Sequence, residues 1–376
     1  MRKKIGKAAV MVGFNKPFEV RSYPLPDKLE AGDVLVKMVM AGICGTDVHT
    51  WLGQTGGKVL SFPVILGHEN VGEIVEMEGE IRAWNGSLLK KGDRITWPTT
   101  IGTYCYHCFN CTVAGLPNKC LQRKTYGAGL TSEKAPHFFG GWAEYCYLYA
   151  GTSLFKLPEG LPAEALVASG CAAPTMIHAA EKGDIKLGDT VVIQGSGPVG
   201  LFGLVVAKEN GAGKVIVIGG PKERLGIARR WGADETIDIS EVKTPEERVR
   251  LVKDLSQSGY GADVVFECSG IPSAFSEGVQ FSRDGGKYIV VGQFMDAGPA
   301  DNFHPFHVTF KDMTIKGSYS WEPRHTARAV DLIDRIKDKY RLSEMVSHRF
   351  TLEQATEAVQ AAKNWSVMKA VLVPAD

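Results

Sequence analysis

The sequence predicts an α/β protein in which a doubly wound parallel sheet accompanies a second, β-rich part. The chain has 376 residues, 44% hydrophobic and 23% charged, a composition typical of a globular protein with about two to three domains. From about residue 162 to residue 295, β-branched strands alternate with helical stretches. Before residue 155, short Val/Ile runs are separated by Gly, Pro and Asp turns. Strand–helix–strand alternation implies right-handed βαβ units around a parallel sheet.

Each element is predicted from its own local pattern. In the β-rich part, short Val/Ile runs predict strands at Asp33–Met40, Asn70–Glu76 and Arg94–Trp97, and the segment Trp142–Leu148 is also strand-like. In the alternating region, β-branched runs predict strands at Thr190–Gln194, Lys214–Ile218, Asp263–Cys268 and Lys287–Gly292. Between them we expect helices at Val199–Asn210, Lys222–Trp231 and Thr244–Ser256, the last beginning with the capping signal Thr244, Pro245 and Glu247.

The end of the chain is predicted to return to the β-rich part. After residue 310 we expect a strand at Thr314–Tyr319, helices at Arg324–Lys339 and Leu352–Ala362, and a final strand at Lys369–Val373. The predicted domains are therefore 1–171 together with 318–376, and 172–317.

Charge and apolar runs exclude several classes of partner. There are 43 basic and 42 acidic side chains, which leaves no basic surface for nucleic acid or a membrane. The apolar stretch Ala8–Val12 is too short for a signal peptide, and Leu201–Ala207 is too short to span a bilayer. We therefore expect a cytoplasmic protein. In that reducing compartment, eight cysteines favour metal binding or catalysis over disulfides.

A glycine-rich turn predicts a dinucleotide site. Gly195-Ser-Gly197-Pro198-Val199-Gly200 follows a predicted strand and opens a predicted helix. The glycines of this motif allow the tight turn and a close backbone approach to a pyrophosphate, which the helix N-terminus attracts. The alternative is a plain tight turn. Strand before and helix after is the context that a dinucleotide site requires.

The second predicted strand lacks the acidic residue that usually binds the ribose 2′-hydroxyl. Gly219 stands at that position and is followed by Gly220. A 2′-phosphate would not be repelled there, and Lys222 or Arg224 could neutralise it. Alternatively, both cations are solvated charges on a helix surface. NAD and NADP therefore both remain open as the cofactor.

Four cysteines close together predict a structural metal site. Their spacing is Cys105-x2-Cys108-x2-Cys111-x8-Cys120. Four thiolates around one tetrahedral centre are typical of structural Zn²⁺. The alternatives are an iron–sulfur cluster, which usually has a shorter last gap followed by Cys-Pro, and a nucleic-acid-binding zinc ribbon, which the near-zero net charge disfavours.

A second set of metal-binding residues is dispersed. Cys44 lies in Gly-Ile-Cys-Gly-Thr-Asp-Val-His, His68 and Glu69 follow Gly67, and Cys171 lies in Ser-Gly-Cys-Ala-Ala-Pro-Thr. Each has an ordinary structural explanation when taken alone. Two thiolates and an imidazole together form the ligand type of a catalytic zinc with an open fourth position.

With these motifs in this order, the sequence resembles the zinc-dependent medium-chain alcohol dehydrogenases over essentially the whole chain. The resemblance implies a Rossmann domain and a β-rich GroES-like catalytic domain with a structural-zinc lobe. It implies two zinc ions per chain, one structural and one catalytic, the latter bound by Cys44, His68 and Cys171 with Glu69 able to reach it. Thr46 and His49 match the proton relay of the family, and Asp47 matches the partner of the zinc histidine. Further expected cofactor contacts are Thr175, Cys268, Val291 and Lys369.

Two departures from the family pattern concern the lobe and the cofactor. The gap before Cys120 is one residue longer than in the most familiar members, and Gly219 removes the usual basis for preferring NAD.

The expected function is hydride transfer between a bulky or cyclic secondary alcohol and a nicotinamide cofactor. The aromatic and aliphatic residues that fall in segments the family uses around its substrate are Trp51, Trp97, Ile101, Tyr319 and Trp321. The alternatives are a polyol dehydrogenase of the same family and a non-catalytic dinucleotide sensor stabilised by zinc. A zinc-free quinone reductase of the same fold is disfavoured, because Cys44, His68 and Cys171 would then have no metal to bind. The resemblance also implies a homodimer or a homotetramer.

Overall fold

The chain divides into two structural units. The computed structural model describes residues 4–54, 60–300 and 302–375, without the side chains of residues 168 and 169. The first unit comprises Met1–Cys171 and Trp321–Asp376, and the second comprises Ala172–Ser320. The second division lies after residue 320, rather than after residue 317 as predicted.

The strands of the described residues are, in chain order, β1 (Ile5–Met11), β2 (Glu19–Pro24), β3 (Val34–Gly42), β4 (Val64–Ile65), β5 (Glu69–Met77), β6 (Arg94–Thr96), β7 (Tyr145–Leu148), β8 (Phe155–Lys156), β9 (Thr190–Gln194), β10 (Lys214–Gly219), β11 (Glu235–Asp238), β12 (Ala262–Glu267), β13 (Ser282–Val290), β14 (Thr314–Gly317), β15 (Val346–Phe350) and β16 (Lys369–Leu372).

The α-helices are α1 (Gly45–Trp51), α2 (Phe109–Thr112), α3 (Ala163–Ser169), α4 (Ala172–Gly183), α5 (Pro198–Glu209), α6 (Lys222–Arg230), α7 (Pro245–Leu255), α8 (Pro272–Phe281), α9 (Phe306–Phe310), α10 (Pro323–Ile336) and α11 (Ala355–Lys363). Short 3-10 turns cover Pro117–Lys119, Leu342–Met345 and Leu352–Gln354. No helix in the described ranges has the length and apolarity needed to cross a bilayer.

In the first unit, β3 is the strand around which the larger sheet is organised. Seven strands form this sheet in the order β15-β16-β3-β5-β6-β8, and β7 also pairs with β3. A three-stranded sheet has the order β2-β1-β4. The antiparallel pairing of β16 with β3 brings the end of the chain back to the β-rich part, since Val371 lies opposite Gly42. This pairing brings Lys369, the first residue of β16, to Glu69, the first residue of β5.

The second unit is built, within the described residues, on a six-stranded parallel sheet of order β11-β10-β9-β12-β13-β14. Every residue of β9 is buried, as expected for a strand that is covered on both faces. The strand order reverses between β9 and β12, and ligands of such sheets bind at the carboxyl ends near that reversal. The predicted doubly wound α/β fold is confirmed.

Most predicted elements are present. The strand predicted at Thr190–Gln194 has those bounds, and the Thr244 hydroxyl caps α7 by accepting a hydrogen bond from the Glu247 N–H at 3.3 Å. The elements that the sequence analysis did not predict include β1, β2, β11, β15, α1, α3, α4 and α8. Apart from α4 and α8, these elements have nine residues or fewer, so their local pattern is a weak signal and packing decides their conformation.

Candidate active site and metal centres

Three side chains of the first unit converge on one point. Cys44 ends the loop after β3 and precedes α1, His68 directly precedes β5, and Cys171 follows α3. One ligand atom from each of these residues lies within 4.8 Å of the others. Residues dispersed over the sequence are therefore brought together by the pairing of β3 with β5 and by α3, which packs on both strands.

The separation of the sulfur atoms fits a tetrahedral zinc site. Cys44 Sγ and Cys171 Sγ are 3.9 Å apart. Two thiolates that share one tetrahedral zinc are about 3.8 Å apart, because each Zn–S bond is about 2.3 Å. A disulfide would instead bring the two atoms to about 2.05 Å. Two thiolates and one imidazole leave one position of the tetrahedron free for a ligand from solution.

Asp47 orients two members of the group. One carboxylate oxygen of Asp47 lies 3.3 Å from His68 Nδ1, and the other accepts the Cys44 N–H at 2.8 Å. Nε2 is therefore the His68 nitrogen that can bind a metal. Asp47 is 2% exposed, so its charge acts in a poorly solvated environment. It matches the carboxylate partner that metal-binding histidines usually have.

The electrostatic environment favours an ionised thiol and a charged imidazole in the absence of a metal. A hydrogen bond from the Cys171 thiol lowers the pKa of Cys44 well below its usual value, although burial opposes this, and His68 lowers it further. Burial by itself lowers the pKa of His68, but the charges of Asp47 and Cys44 outweigh it and raise that pKa. A cation is thus stabilised at this point, which is what a metal ion would supply.

Lys369 contacts a carboxylate in the first unit. Its ammonium forms an ion pair with Glu69, and the two side chains are only 3% and 1% exposed. Burial raises the pKa of Glu69 to about 7, and the charge of Lys369 opposes that rise. Gly42 makes room for this carboxylate, because a Cβ at Gly42 would lie 2.2 Å from Glu69 Oε2. Glu69 is not part of the three-residue metal group, and the expected pyrophosphate contact of Lys369 stays a prediction.

The two residues of the expected proton relay lie on α1. Thr46 Oγ1 is 3.7 Å from Cys44 Sγ, at the edge of the metal group. His49 is one helical turn further along, exposed, and its Nδ1 is 2.7 Å from Gln54 Oε1. The hydroxyl therefore lies beside the metal position and the imidazole faces water.

The four-cysteine motif also converges. Ligand atoms of Cys105, Cys108, Cys111 and Cys120 lie within 4.8 Å of one another, with 4.0 Å between Cys105 Sγ and Cys111 Sγ. This spacing suits four thiolates around a single ion. The backbone N–H groups of Leu121 and Cys111 stabilise the Cys108 thiolate and lower its pKa to about 6. The segment around these cysteines is closed by a β-bridge between Thr100 and Thr125.

In the second unit, the glycine turn has the shape of a pyrophosphate cradle. Gly195 has φ +111°, and a Cβ at Gly200 would lie 1.8 Å from the Gly195 carbonyl oxygen, so the turn itself requires both glycines. A Cβ at Gly197 would meet only Arg224 Nη1, at 3.9 Å. The space beside Gly197 is thus open on the side where a phosphate would approach the start of α5.

The end of β10 has no room for an acidic side chain. A Cβ at Gly219 would lie 2.6 Å from Ser196 Oγ, and this hydroxyl donates to the Gly220 carbonyl oxygen at 2.9 Å. Of the two cations expected there, Arg224 is 7% exposed, and burial lowers its pKa. Lys222 is 72% exposed and lies 3.8 Å from Glu241. The interpretation of both as solvated surface charges is therefore wrong for Arg224.

Glu267, at the carboxyl end of β12, was not identified from the sequence. Its Oε1 accepts the N–H groups of Ser269 and Gly270, each at 2.7 Å, and its Oε2 accepts the Gly292 N–H at 3.1 Å. It thereby joins the loop that follows Cys268 to the loop that contains Val291. The available signal was an acidic residue ending the apolar strand Asp-Val-Val-Phe-Glu.

The aromatic residues expected around the substrate are buried or contact neighbouring groups, and their contact with a substrate stays a prediction. The indole N–H of Trp51 donates to the Lys16 carbonyl oxygen at 2.7 Å, and that of Trp321 donates to Thr326 Oγ1 at 3.2 Å. Tyr319 stacks on Phe294 with 5.2 Å between the ring centroids. Trp97 is 3% exposed, and its N–H has no partner within the described part of the chain.

Sequence comparison identifies the family. The family model "Alcohol dehydrogenase GroES-like domain" matches residues 30–159, and "Zinc-binding dehydrogenase" matches residues 198–335. The 5-exo-hydroxycamphor dehydrogenase of Pseudomonas putida is 35% identical over 97% of this chain and 98% of its own length. A sorbitol dehydrogenase of Halalkalibacterium halodurans is 35% identical over 94% of each chain.

Solved structures agree with this assignment. An alcohol dehydrogenase from Thermotoga maritima superposes with a TM-score of 0.92 and 34% identity, covering 99% of this chain and 100% of its own. A zinc-binding dehydrogenase from Sinorhizobium meliloti bound to NADP has a TM-score of 0.84, 26% identity and coverage of 99% and 100%. This chain belongs to the zinc-dependent medium-chain alcohol dehydrogenase family. It is an oxidoreductase that acts on the CH–OH group of a small-molecule alcohol and uses zinc and a nicotinamide cofactor.

Proposed function

We propose that this enzyme interconverts a bulky or cyclic secondary alcohol and its ketone, with NADP as the cofactor and a zinc ion held by Cys44, His68 and Cys171. The observation that carries the proposal is the convergence of these three side chains within 4.8 Å. We further propose a second, structural zinc held by Cys105, Cys108, Cys111 and Cys120, because their thiols also converge. The first unit is then the catalytic domain and the second is the dinucleotide-binding domain.

In the proposed reaction, the chain removes a proton while a hydride leaves the carbinol carbon for the cofactor. When bound, zinc acts as a Lewis acid that makes the hydroxyl proton of the substrate easier to remove. The Thr46 hydroxyl lies 3.7 Å from Cys44 Sγ; it would accept this proton while donating its own hydroxyl proton onward to the relay that ends at His49. His49 is exposed one turn away and releases a proton to water. Asp47 keeps His68 in the orientation that presents Nε2.

Replacement of Cys44 tests the catalytic metal site. The Cys44→Ser variant should lose at least about a hundredfold in kcat/KM, because a weaker ligand set no longer retains the ion that activates the hydroxyl. Its zinc content should fall from two to one per chain, while cofactor binding measured by fluorescence stays unchanged. Cys146→Ala is the matched control, since Cys146 is fully buried and belongs to neither metal group. Near-normal turnover with only one zinc would contradict the assignment.

The choice of NADP rests on the end of β10. Ser196 fills the space that a side chain at position 219 would need, so no acidic residue fits there. The Arg224 guanidinium lies beside the open space at Gly197. Arg224→Gln should raise the KM for NADP⁺ about tenfold or more, since a charge-assisted contact to phosphate is lost, and should leave the KM for NAD⁺ nearly unchanged. Lys186→Gln is the control, because Lys186 is exposed and precedes β9, at the end of the strand opposite the glycine turn. Equal effects on the two cofactors would count against a 2′-phosphate contact.

The substrate proposal follows the relative that acts on 5-exo-hydroxycamphor, which is similar over 97% of this chain. A polyol is the second candidate, because a sorbitol dehydrogenase is similar at the same identity. Initial rates with cyclohexanol, a bicyclic secondary alcohol, sorbitol and ethanol separate the two. We expect the highest kcat/KM with the bicyclic alcohol. A preference for sorbitol would favour the polyol alternative.

We propose a homo-oligomer in which the second unit contributes one interface. Among the described residues, the edge strand β14 pairs only with β13, so its outer backbone groups are available to another strand. Just before β14 in the chain, Phe306 and Phe310 of α9 stack at 5.1 Å and are 64% and 69% exposed. Apolar surface beside an unpaired strand edge is typical of a contact between two copies. Because the eight cysteines are free thiols, we also propose that the protein works in the reducing cytoplasm.

A further inference from the structure

A cavity lies at the amino ends of β12, β13 and β14 in the second unit. Its volume is about 370 Å³, within the range of small-molecule sites, and it is lined by Lys253, Tyr260, Ser282, Arg283, Asp284 and Lys311. The glycine turn, by contrast, follows the carboxyl end of β9. Because β12 has six residues, the two ends of the sheet are about 20 Å apart. The cavity is therefore separate from the cofactor-side loops.

An irregularity of β13 builds one wall of this cavity. Between Ser282 and Lys287 the register of β13 against β12 shifts, so that residues 283–286 bulge out of the strand. Arg283, within the bulge, pairs with Asp263 of β12 at 2.6 Å, and this contact fastens the bulge to the neighbouring strand. Bulges commonly redirect side chains beside binding sites. The wall is thus part of the sheet and is held in place by it.

The cavity carries an excess of positive charge. In the described part of the chain, neither Lys253 nor Lys311 has a carboxylate within ion-pair distance, whereas Arg283 is already paired. Asp284 is the one acidic residue among those that line the cavity. Burial and, to a smaller extent, the charge of Lys253 lower the pKa of Lys311 to about 8, while Asp284 opposes them. An anion between the two ammonium groups would stabilise both charges.

Ser282 supplies a hydroxyl whose hydrogen bond is not made. The residue is fully buried, and its Oγ has no hydrogen-bond partner within the described residues. Buried polar side chains nearly always have a partner, so this hydroxyl calls for one. Serine has three staggered rotamers, which allow the hydroxyl to turn toward an acceptor in the cavity that Ser282 lines. An anion bound there would accept this hydrogen bond.

The donors of the cavity suit a phosphate group. Lys253, Tyr260 and Ser282 come from three different segments, and a phosphate monoester presents three acceptor oxygens and a charge of about −1.5 to −2 at neutral pH. Inorganic phosphate alone is too small: at roughly 30 Å³ for each of its five heavy atoms, it fills less than half of the cavity. Tyr260 is 76% exposed, so its ring can pack against the organic part of a larger ligand.

We propose that this cavity binds a phosphate monoester, with the phosphate group between Lys253 and the Ser282 hydroxyl and the organic group against Tyr260. Lys311 contributes its charge, while its ammonium keeps donating to three backbone carbonyl oxygens. The ligand bridges α7, the segment before β12 and the start of β13. It therefore stabilises the second unit at the end of the sheet remote from the glycine turn.

Isothermal titration calorimetry on the full-length, zinc-loaded protein tests this proposal. The protein is first saturated with the nicotinamide cofactor that it prefers, so that the glycine turn cannot take up the probe. Phenyl phosphate and inorganic phosphate are then titrated at constant ionic strength. We expect one phenyl phosphate per chain, a Kd about threefold or more below that of inorganic phosphate, and a Tm that rises with the concentration of phenyl phosphate.

Four variants connect the binding to the cavity. Lys253→Gln should weaken the binding of phenyl phosphate about tenfold or more, because a charge-assisted contact is lost, and Ser282→Ala should weaken it about threefold or more. Tyr260→Ala should remove the preference for phenyl phosphate over inorganic phosphate. Lys243→Gln is the matched control for charge, since Lys243 is exposed, precedes α7 and does not line the cavity.

The outcomes distinguish this site from other ways of binding an anion. Unchanged affinity in Lys253→Gln overturns the proposal, and so does an equal loss in Lys243→Gln, which would show a response to net charge only. Competition between phenyl phosphate and the cofactor in steady-state kinetics would place the anion at the glycine turn and reject the separate site. Equal affinity for the two probes rejects the ester as the ligand. Absence of saturable binding at millimolar concentrations rejects the site itself.

Discussion

Glu267 is a single buried carboxylate that holds two loops of the second unit together. It is fully buried, and it joins the loops after β12 and β13 through backbone N–H groups. These loops lie at the carboxyl ends of the strands, where ligands of doubly wound sheets bind. We interpret Glu267 as a positioning residue for the cofactor-side loops.

The Glu267→Gln variant is expected to bind the cofactor less tightly. An amide has one oxygen; if this oxygen keeps accepting from Ser269 and Gly270, the NH2 group faces the Gly292 N–H, which then retains only the backbone carbonyl oxygen of residue 267, at 2.8 Å. The loss of one charge-assisted contact should cost about 1 kcal/mol, so the KM for the cofactor should rise about fivefold, with a smaller change in kcat.

Steady-state kinetics at varied cofactor concentration measures the change in KM for the cofactor separately from the change in kcat. Glu277→Gln is the control, because Glu277 is also mostly buried but pairs with Arg248, away from these loops. If both variants lower stability and neither changes the KM for the cofactor, the role of Glu267 is purely structural.

At the level of the element, α8 ends on a buried cation. The Lys311 ammonium donates to the carbonyl oxygens of Val279, Gln280 and Ser282, at 3.1, 3.1 and 2.6 Å. These are carbonyls that the end of a helix leaves without internal partners. Burial lowers the pKa of Lys311 to about 8, and the nearby charge of Lys253 lowers it further, while Asp284 opposes both.

This pKa predicts how stability depends on pH. In the unfolded chain Lys311 titrates near about 10.4, so between pH 8 and that value the unfolded chain binds more protons than the folded one. The contribution of Lys311 to the free energy of unfolding should therefore rise with pH across this window and be smallest below it. The Lys311→Met variant should lack this rise.

Thermal melts of both proteins from pH 7.5 to 10 check the sign, because groups other than Lys311 contribute equally to each. Since the side chain is 8% exposed, the difference should amount to about 1–2 kcal/mol after allowance for partial hydration. A constant difference in Tm across the range would show that Lys311 keeps its ordinary pKa.

At the level of the whole molecule, we expect loss of metal from the four-cysteine cluster and from the Cys44–His68–Cys171 cluster to have different effects. The lobe site involves only residues 105–120, whereas the other site joins residues that follow β3, precede β5 and follow α3. Loss of the lobe metal should therefore unfold a local segment, while loss of the other metal should leave the fold largely intact.

The Cys111→Ser variant isolates the lobe metal. We expect one zinc per chain instead of two and a Tm lowered by several degrees, because the lobe loses the ion that stabilises it. Cys44→Ser, which also removes one zinc, is the comparison and should keep its Tm. Identical behaviour of the two variants would contradict separate roles for the two sites.

Much of this architecture follows from local sequence. The strand Thr190–Gln194, the turn at Gly195–Gly200 and the start of α7 at Thr244 are specified by neighbouring residues, since β-branched runs, glycines and caps act over a few positions. The four cysteines of the lobe are likewise close in the chain. Their grouping is therefore predictable from spacing alone.

Other features were decided only by tertiary structure. Cys44, His68 and Cys171 are far apart in sequence, and their common point exists because β3 pairs with β5 and α3 packs on both. The burial of Arg224 and the pairing of Lys369 with Glu69 depend on what surrounds each side chain. Sequence by itself determined the fold class, the family and the candidate metal ligands, because these depend on local pattern and residue type. Distances, burial and charge environment required the folded chain, because they arise from contacts between residues that are remote in sequence.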